Sequence, residues 1–301
     1  MERQRQAYVY ALLTVLFWST VASAFKITLR HLEFHHLLLY AAAVSMTVLF
    51  CICLAQGKIS LVLQSTGGEV FRSALLGLIN PFLYYLILFK AYSLLPAQEA
   101  QPLNFTWPIM LVLLSTVVLR QRIGLKSLAA ILICFLGVFV ISTRGDLIGF
   151  RFSNPLGAFL ALSSSLLWAT FWIVNVKDRR DEAVKLLLNF SFGFLYTLAL
   201  VLLIAPPGRP SWQGIAGAAY VGLFEMGITF VLWLKALSLS RTTAEVSHLV
   251  YFSPFLSLIV IHFVVGEEIR AATWIGLSLI VGGVLIQEFG GRRSTSGSAP
   301  P

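Results

Sequence analysis

The chain has 301 residues, of which 58% are hydrophobic and only 12% charged, with a formal net charge of +9. A soluble domain carries roughly 25% charged residues, so this balance excludes a soluble enzyme or binding module and leaves a polytopic membrane protein. The surplus of Lys and Arg does not point to nucleic acid, because the basic residues flank apolar runs instead of forming one patch interleaved with aromatics.

At roughly 20 residues per transmembrane helix, ten apolar runs are predicted: 7–25, 36–55, 72–93, 97–119, 124–142, 156–176, 184–204, 213–236, 243–265 and 271–288. The start, MERQRQ followed by an apolar run and Ala22-Ser23-Ala24, has the outline of a signal peptide. However, Trp18 and Thr20 return as Trp168 and Thr170 in the sixth run, which makes the first run a retained member of a repeat. Residues 57–71, with Gly57, Gly67 and Gly68, form the longest inner linker and are expected to hold a surface helix. Cys51, Cys53 and Cys134 fall inside apolar runs at no framework spacing, so they are assigned to the core and not to disulfides. Gly145 to Asn154 joins the two halves, and Pro155 suits the first turn of a helix.

Two stretches correspond closely. Lys90, Ala91, Ser93 and Leu94 match Lys235, Ala236, Ser238 and Leu239, and beyond them Glu99, Leu103, Pro108, Gly137 and Val138 fall 146 positions before Glu245, Leu249, Pro254, Gly283 and Val284. A duplication of five runs each follows: residues 1–145 as the first five-helix repeat, 146–289 as the second, and 290–301 as a disordered cytoplasmic tail. Five is odd, so similar halves must cross the bilayer in opposite senses. The positive charges agree. Arg120, Arg122 and Lys126 follow the fourth run, against Arg270 after the ninth. Lys177, Arg179, Arg180 and Lys185 follow the sixth, against Lys26 and Arg30 after the first. Both termini are thereby predicted to be cytoplasmic.

Polar groups at membrane depth are costly unless partnered, so each is a functional candidate. Glu225 lies midway along the eighth run and aligns with Asn80, ahead of Pro81, in the third. It either binds a cationic group, carries a coupling proton, or is a protonated carboxyl that only ties helices together. Ser164, Trp168, Trp172 and Asn175 share one helical stripe. Trp18 matches Trp168, and the deep tryptophans suit a cavity wall that holds an apolar side chain or a cation as well as they suit plain packing. Asn104, Trp107 and Pro108 in the fourth run have Ser247, His248, Tyr251 and Pro254 as their counterparts in the ninth, and a proline within a span frees a carbonyl that a cavity tolerates. Glu99 and Glu245 are expected to cap their helices, and Lys90 and Lys235 to reach the headgroups; because inverted halves put the two pairs on opposite faces of the membrane, a gate at each face is the alternative. The candidate substrate-binding residues are therefore Trp18, Asn80, Tyr84, Asn104, Trp107, Ser164, Trp168, Glu225, His248 and Tyr251.

No HExxH, GxSxG, Walker or CxxC pattern occurs, and the five histidines do not cluster with nucleophiles, so neither an enzyme nor a bound cofactor is expected.

In Leu16-Phe17-Trp18-Ser19-Thr20 through Lys26, Lys235-Ala236-Leu237-Ser238-Leu239 into Thr243-Ala244-Glu245, and Gly266-Glu267 with Trp274-Ile275-Gly276, the chain resembles the drug/metabolite transporter superfamily, in its ten-helix EamA-type branch. The resemblance covers nearly all of residues 7–288. It implies an all-α integral membrane fold of ten transmembrane helices in a 5+5 inverted repeat with a central cavity. It also implies a bacterial inner-membrane location and alternating-access transport of a small polar solute. Phe105-Thr106-Trp107-Pro108 is similar to the aromatic-Trp-Pro stretch of amino-acid exporters in the branch, which favours export of an amino acid or a similar amphipathic metabolite. Glu225 departs from that pattern and keeps open an organic cation or quaternary amine, with protons as a possible coupling ion.

Overall fold

The computed structural model describes residues 2–118, 125–149, 152–176, 178–204, 210–240 and 248–295. In chain order the helices are α1 (Glu2–Thr28), α2 (Phe34–Ala55), α3 (Ile59–Leu63), α4 (Gly67–Gly77), α5 (Tyr84–Leu94), α6 (Ala97–Asn104), α7 (Trp107–Val118) and α8 (Leu125–Ser142). They continue with α9 (Pro155–Val176), α10 (Glu182–Ile204), α11 (Trp212–Phe224), α12 (Ile228–Leu239), α13 (Ser253–Val260) and α14 (Ala271–Thr295). Among the described residues six helical stretches are long and apolar enough to cross a membrane: Arg3–Thr28, Phe34–Ala55, Gly67–Leu94, Pro155–Asn175, Glu182–Ile204 and Trp212–Trp233. The shorter apolar helices Leu128–Ser142, Leu249–Val265 and Ala271–Gln287 accompany them. α3 is the short helix expected after Gly57. α14 continues to Thr295, past position 290 where the tail was placed. Cys53 and Cys134 are buried as assigned, whereas Cys51 faces outward, because consecutive odd positions on a helix do not share a face.

Helix starts are fixed locally. Thr66 and Glu69 form a reciprocal cap at α4, with the Thr66 amide donating to the Glu69 carboxylate at 2.7 Å. Ser211 accepts from the Gly214 amide at 3.2 Å at the head of α11.

The packing has a regular exchange in it. α1 lies on α12, and α5 lies on α9. α2 packs against α11, and α10 against α4. α2 and α10 cross each other, as do α8 and α14, while α1 touches α13 and α9 touches α6 and α7. At the α8–α14 contact the backbones approach closely: a Cβ on Gly137 would stand 2.5 Å from the Gly276 carbonyl oxygen, and one on Gly283 would stand 2.7 Å from that of Ala130. Small residues let helices approach where lipid offers no hydrophobic drive.

Four segments are interrupted near mid-bundle. In the wide turn Leu78–Leu83, Asn80 takes extended angles (φ −145°, ψ 121°) ahead of Pro81. Between α6 and α7 the helix lapses at Phe105 and Thr106, where Pro108 has no amide to donate. α11 and α12 part at Glu225–Gly227, with Gly227 at φ −119°, ψ −93°. A tight turn, His248–Phe252, precedes α13. Hydroxyls take up carbonyls released by the breaks: Ser45 Oγ donates to Met226 O at 2.7 Å, Thr229 Oγ1 donates to Phe224 O, and Thr106 Oγ1 donates to Leu103 O at 2.8 Å.

Candidate functional site

The last three of these interruptions border a cavity of about 100 Å³. Trp18, Val21, Ala22 and Phe25 reach it from α1, Tyr84, Leu88 and Tyr92 from α5, and Gln101, Asn104, Phe105 and Trp107 from the α6–α7 break. Trp168, Glu225, Val250 and Ser253 complete the wall. Broken helices expose side chains and backbone that an intact helix would keep to its own ladder, which is why the polar lining collects at the breaks.

Glu225 is 7% exposed, and it is the one charged residue among the described lining. Tyr85 Oη donates to Glu225 Oε1 at 3.0 Å; no second hydrogen bond to this carboxyl is found among the described residues. A polar relay runs beside it: Tyr84 Oη donates to Asn104 Oδ1 at 3.4 Å, Asn104 Nδ2 donates to Ser164 Oγ at 2.9 Å, and Ser164 Oγ donates to Ala161 O at 2.6 Å. The apolar side is aromatic. The Trp168 ring lies 4.8 Å from Tyr84 and 5.6 Å from Phe230, and Trp18 lies 5.7 Å from Trp233. The site thus offers one carboxyl, a short amide-hydroxyl relay and ring faces. That combination can hold an ammonium group against a carboxylate and ring quadrupoles, and an apolar body against indoles.

Of the residues proposed from sequence, Trp18, Tyr84, Asn104, Trp107, Trp168 and Glu225 line this cavity. Ser164 stands behind Asn104 as its hydrogen-bond partner. Tyr251 sits outside the lining, with its ring 6.5 Å from that of Phe105. The side chain of His248 lies outside the described residues, as do Glu245 and Ser247. Asn80 is fully buried but not in the lining, and neither end of its amide has a partner. Its extended backbone takes it off the face that a continuous helix would present, so depth in the alignment did not translate into direction.

Sequence reasoning passed over Tyr85, which holds the carboxyl, and Gln101 and Tyr92, which line the cavity. The tyrosine pair in Phe82-Leu83-Tyr84-Tyr85 within an apolar run was the available signal. Glu99 was expected to cap its helix. Instead its carboxylate accepts from Arg144 Nε at 2.7 Å, Ser153 Oγ at 2.6 Å and Arg270 Nη1 at 3.2 Å. Lys90 and Lys235 rest over the rings of Phe34 and Tyr10. Among the described residues no three His, Cys, Asp or Glu side chains gather as a metal site.

Comparison with known proteins gives this arrangement a setting. An uncharacterized transporter from Clostridium kluyveri is 23% identical over 292 residues, covering 94% of this chain and 93% of the relative. The aromatic amino acid exporter YddG from Ancylobacter novellus is 24% identical over 288 residues, covering 93% and 96%. A solved crystal structure superposes with a TM-score of 0.66 at 22% identity, covering 95% of this chain and 98% of the other, which establishes a shared fold. The model of the EamA-like transporter family matches twice, at residues 5–143 and 155–287, so both halves carry the same signature and together they take in nearly the whole sequence. A multi-pass helical bundle with broken helices around a central cavity, matched over both halves, makes this chain a member of the EamA-like transporter family.

Proposed function

We propose that this transporter moves a small amphipathic metabolite, an amino acid first of all, by alternating access, and that it exports it across a bacterial inner membrane. The observation that carries this is Glu225 Oε1 held by Tyr85 at the edge of a cavity walled by Trp18, Tyr84 and Trp168. Glu225 takes the substrate's ammonium group, the Tyr84–Asn104–Ser164 relay orients its polar end, and the indoles take its side chain. The same carboxyl exchanges substrate for a proton, which couples transport to the proton gradient.

Ten spans in two oppositely directed sets of five, with both termini cytoplasmic, complete the proposal. The exchange in the packing supports it, since renaming each helix of one half as its counterpart turns the α1–α12 contact into α9–α5 and the α2–α11 contact into α10–α4. The 2.5 and 2.7 Å approaches at Gly137–Gly276 and Gly283–Ala130 are also counterparts at the 146-residue offset.

A second reading is favoured by one observation: among the described lining there is no cation to receive a substrate carboxylate. An organic cation or quaternary amine would then be the substrate. Counterflow in proteoliposomes with labelled aromatic amino acids, and separately with choline, decides between them. Saturable movement of neither class, at any imposed pH gradient, would refute both readings.

A further inference from the structure

The end of the bundle away from the N-terminus, the distal end, has a second depression of about 620 Å³, lined by Lys26, Leu95, Pro96, Gln98, Glu267 and Arg270 among others. The short helix α6 stands between the two spaces. Gln101, Asn104 and Phe105 face the central cavity, whereas Leu95, Pro96 and Gln98, at the other end of the same segment, face the distal one. The segment of α6 thus forms a wall common to both spaces.

Two side chains from other segments, Lys26 and Glu267, and one of its own, Glu99, hold the start of α6 in place. Lys26 of α1 donates from Nζ to Tyr92 O at 2.8 Å and to Leu95 O at 2.6 Å, bracing the turn that leads into it. Glu267, in the linker before α14, accepts from the Ala97 amide at 2.8 Å and the Gln98 amide at 3.1 Å. Glu99, 1% exposed, gathers Arg144, Ser153 and Arg270. Arg144 reaches it from a backbone at φ +56°, a region few residues other than glycine adopt. At its other end the helix breaks at Phe105, and two neutral hydrogen bonds to α9 hold it there, Asn104 Nδ2 to Ser164 Oγ at 2.9 Å and Thr106 Oγ1 to Ser165 Oγ at 3.0 Å. A short helix that ends in a backbone break on one side and in charged contacts on the other can turn about the break when those contacts let go.

We propose that α6 is the distal gate of the transporter, and that Lys26, Glu99 and Glu267 are the positioning residues that keep it shut in this state. Opening releases the carboxylates of Glu99 and Glu267 from their partners and carries Gln101, Asn104 and Phe105 away from the centre, so the gate and part of the binding wall move as one piece. The purpose assigned to the gate rests on the alternating-access reading above, but its test needs no substrate and can fail separately from that reading.

The test uses the full chain carrying Cys51→Ser and Ala22→Cys, in sealed vesicles. Ile148→Cys, at a position 94% exposed in the distal linker, reports which vesicles present that end outward. Adding Glu99→Gln or Glu267→Gln is expected to speed modification of Ala22→Cys by a membrane-impermeant maleimide from the distal side at least tenfold, with the buried Cys134 unmodified. An unchanged rate in both variants overturns the proposal, and so does a rise matched at Cys134, which would mean general loosening. Should Glu99→Gln not fold, Arg270→Ala removes one partner of the same carboxylate at a side chain 43% exposed and carries the same expectation.

Discussion

The Tyr85 hydroxyl donates to the Glu225 carboxyl across 3.0 Å, joining α5 to the break between α11 and α12. Glu225→Gln keeps the volume and the acceptor while removing the ionisable group. It is expected to leave folding intact and to lower transport of an ammonium-bearing substrate at least tenfold in proteoliposomes. Tyr85→Phe is expected to cost stability instead, about 1–3 kcal/mol for a buried group left without its donor, read as a lower unfolding midpoint. Equal transport by Glu225→Gln and the parent chain would take this carboxyl out of the mechanism.

Gly137 and Gly283 are expected to resist any side chain. A methyl at either position meets backbone carbonyl oxygen, at 2.5 and 2.7 Å, and backbone cannot swing aside as a side-chain tip can. Gly137→Ala and Gly283→Ala should each cost about 1–3 kcal/mol. Gly282→Ala, one position away with nothing within 4 Å, should be tolerated. Unfolding in detergent, followed by tryptophan fluorescence, compares the three; a loss at Gly282 as large as at Gly283 would contradict the close approach of α8 and α14.

Trp168 joins the cavity wall to the core, with rings of Tyr84, Phe230 and Trp172 within 6 Å of its own. Trp168→Ala is expected to cost roughly 3–5 kcal/mol and to shift preference toward bulkier substrates in competition assays, while Trp168→Phe retains most of both. Unaltered preference in a folded Trp168→Ala variant would remove this indole from substrate selection.

Outside the spans, the linker between α9 and α10 should be acid-sensitive. Burial pushes the Asp178 carboxyl up, but the hydrogen bonds and charge of Arg180, at 2.6 Å, outweigh it and hold the group below the usual aspartate range. A depressed carboxyl contributes stability that is complete above its unfolded value of about 3.9 and is lost as the pH falls through the folded one. Arg180→Ala should therefore lower the midpoint at neutral pH by the equivalent of roughly 3–5 kcal/mol, and the gap from the parent chain should narrow toward pH 3. A gap that stays constant would mean that Arg180 acts through Ser73, to which it also donates at 2.9 Å, and not through Asp178.

The apolar runs were legible because hydropathy and length alone decide what fits a bilayer, and the repeated Lys-Ala-x-Ser-Leu segment exposed the duplication before any geometry was known. Direction within a run was harder to read. Asn80 and Glu225 align, yet one amide is sealed away and the other side chain meets the cavity, because the helix breaks at Asn80 itself and the face predicted from periodicity ends there. The break at Gly227 carries no proline, so nothing in the pattern announced it. The partners of Glu99 come from two linkers distant in sequence, and no local spacing encodes such a meeting.

Cys134 donates to the carbonyl of Ile280, the residue 146 places later, so the matching positions of the two halves touch each other. In an assembly of two identical chains such a meeting would oblige every acidic group near the axis to appear in pairs. Carrying both halves on one polypeptide lifts that obligation: an asparagine occupies the place equivalent to Glu225, and among the described lining the pocket presents one acid. With the substrate's ammonium group on Glu225, as proposed above, such an asymmetric pocket is expected to take one positive charge per molecule.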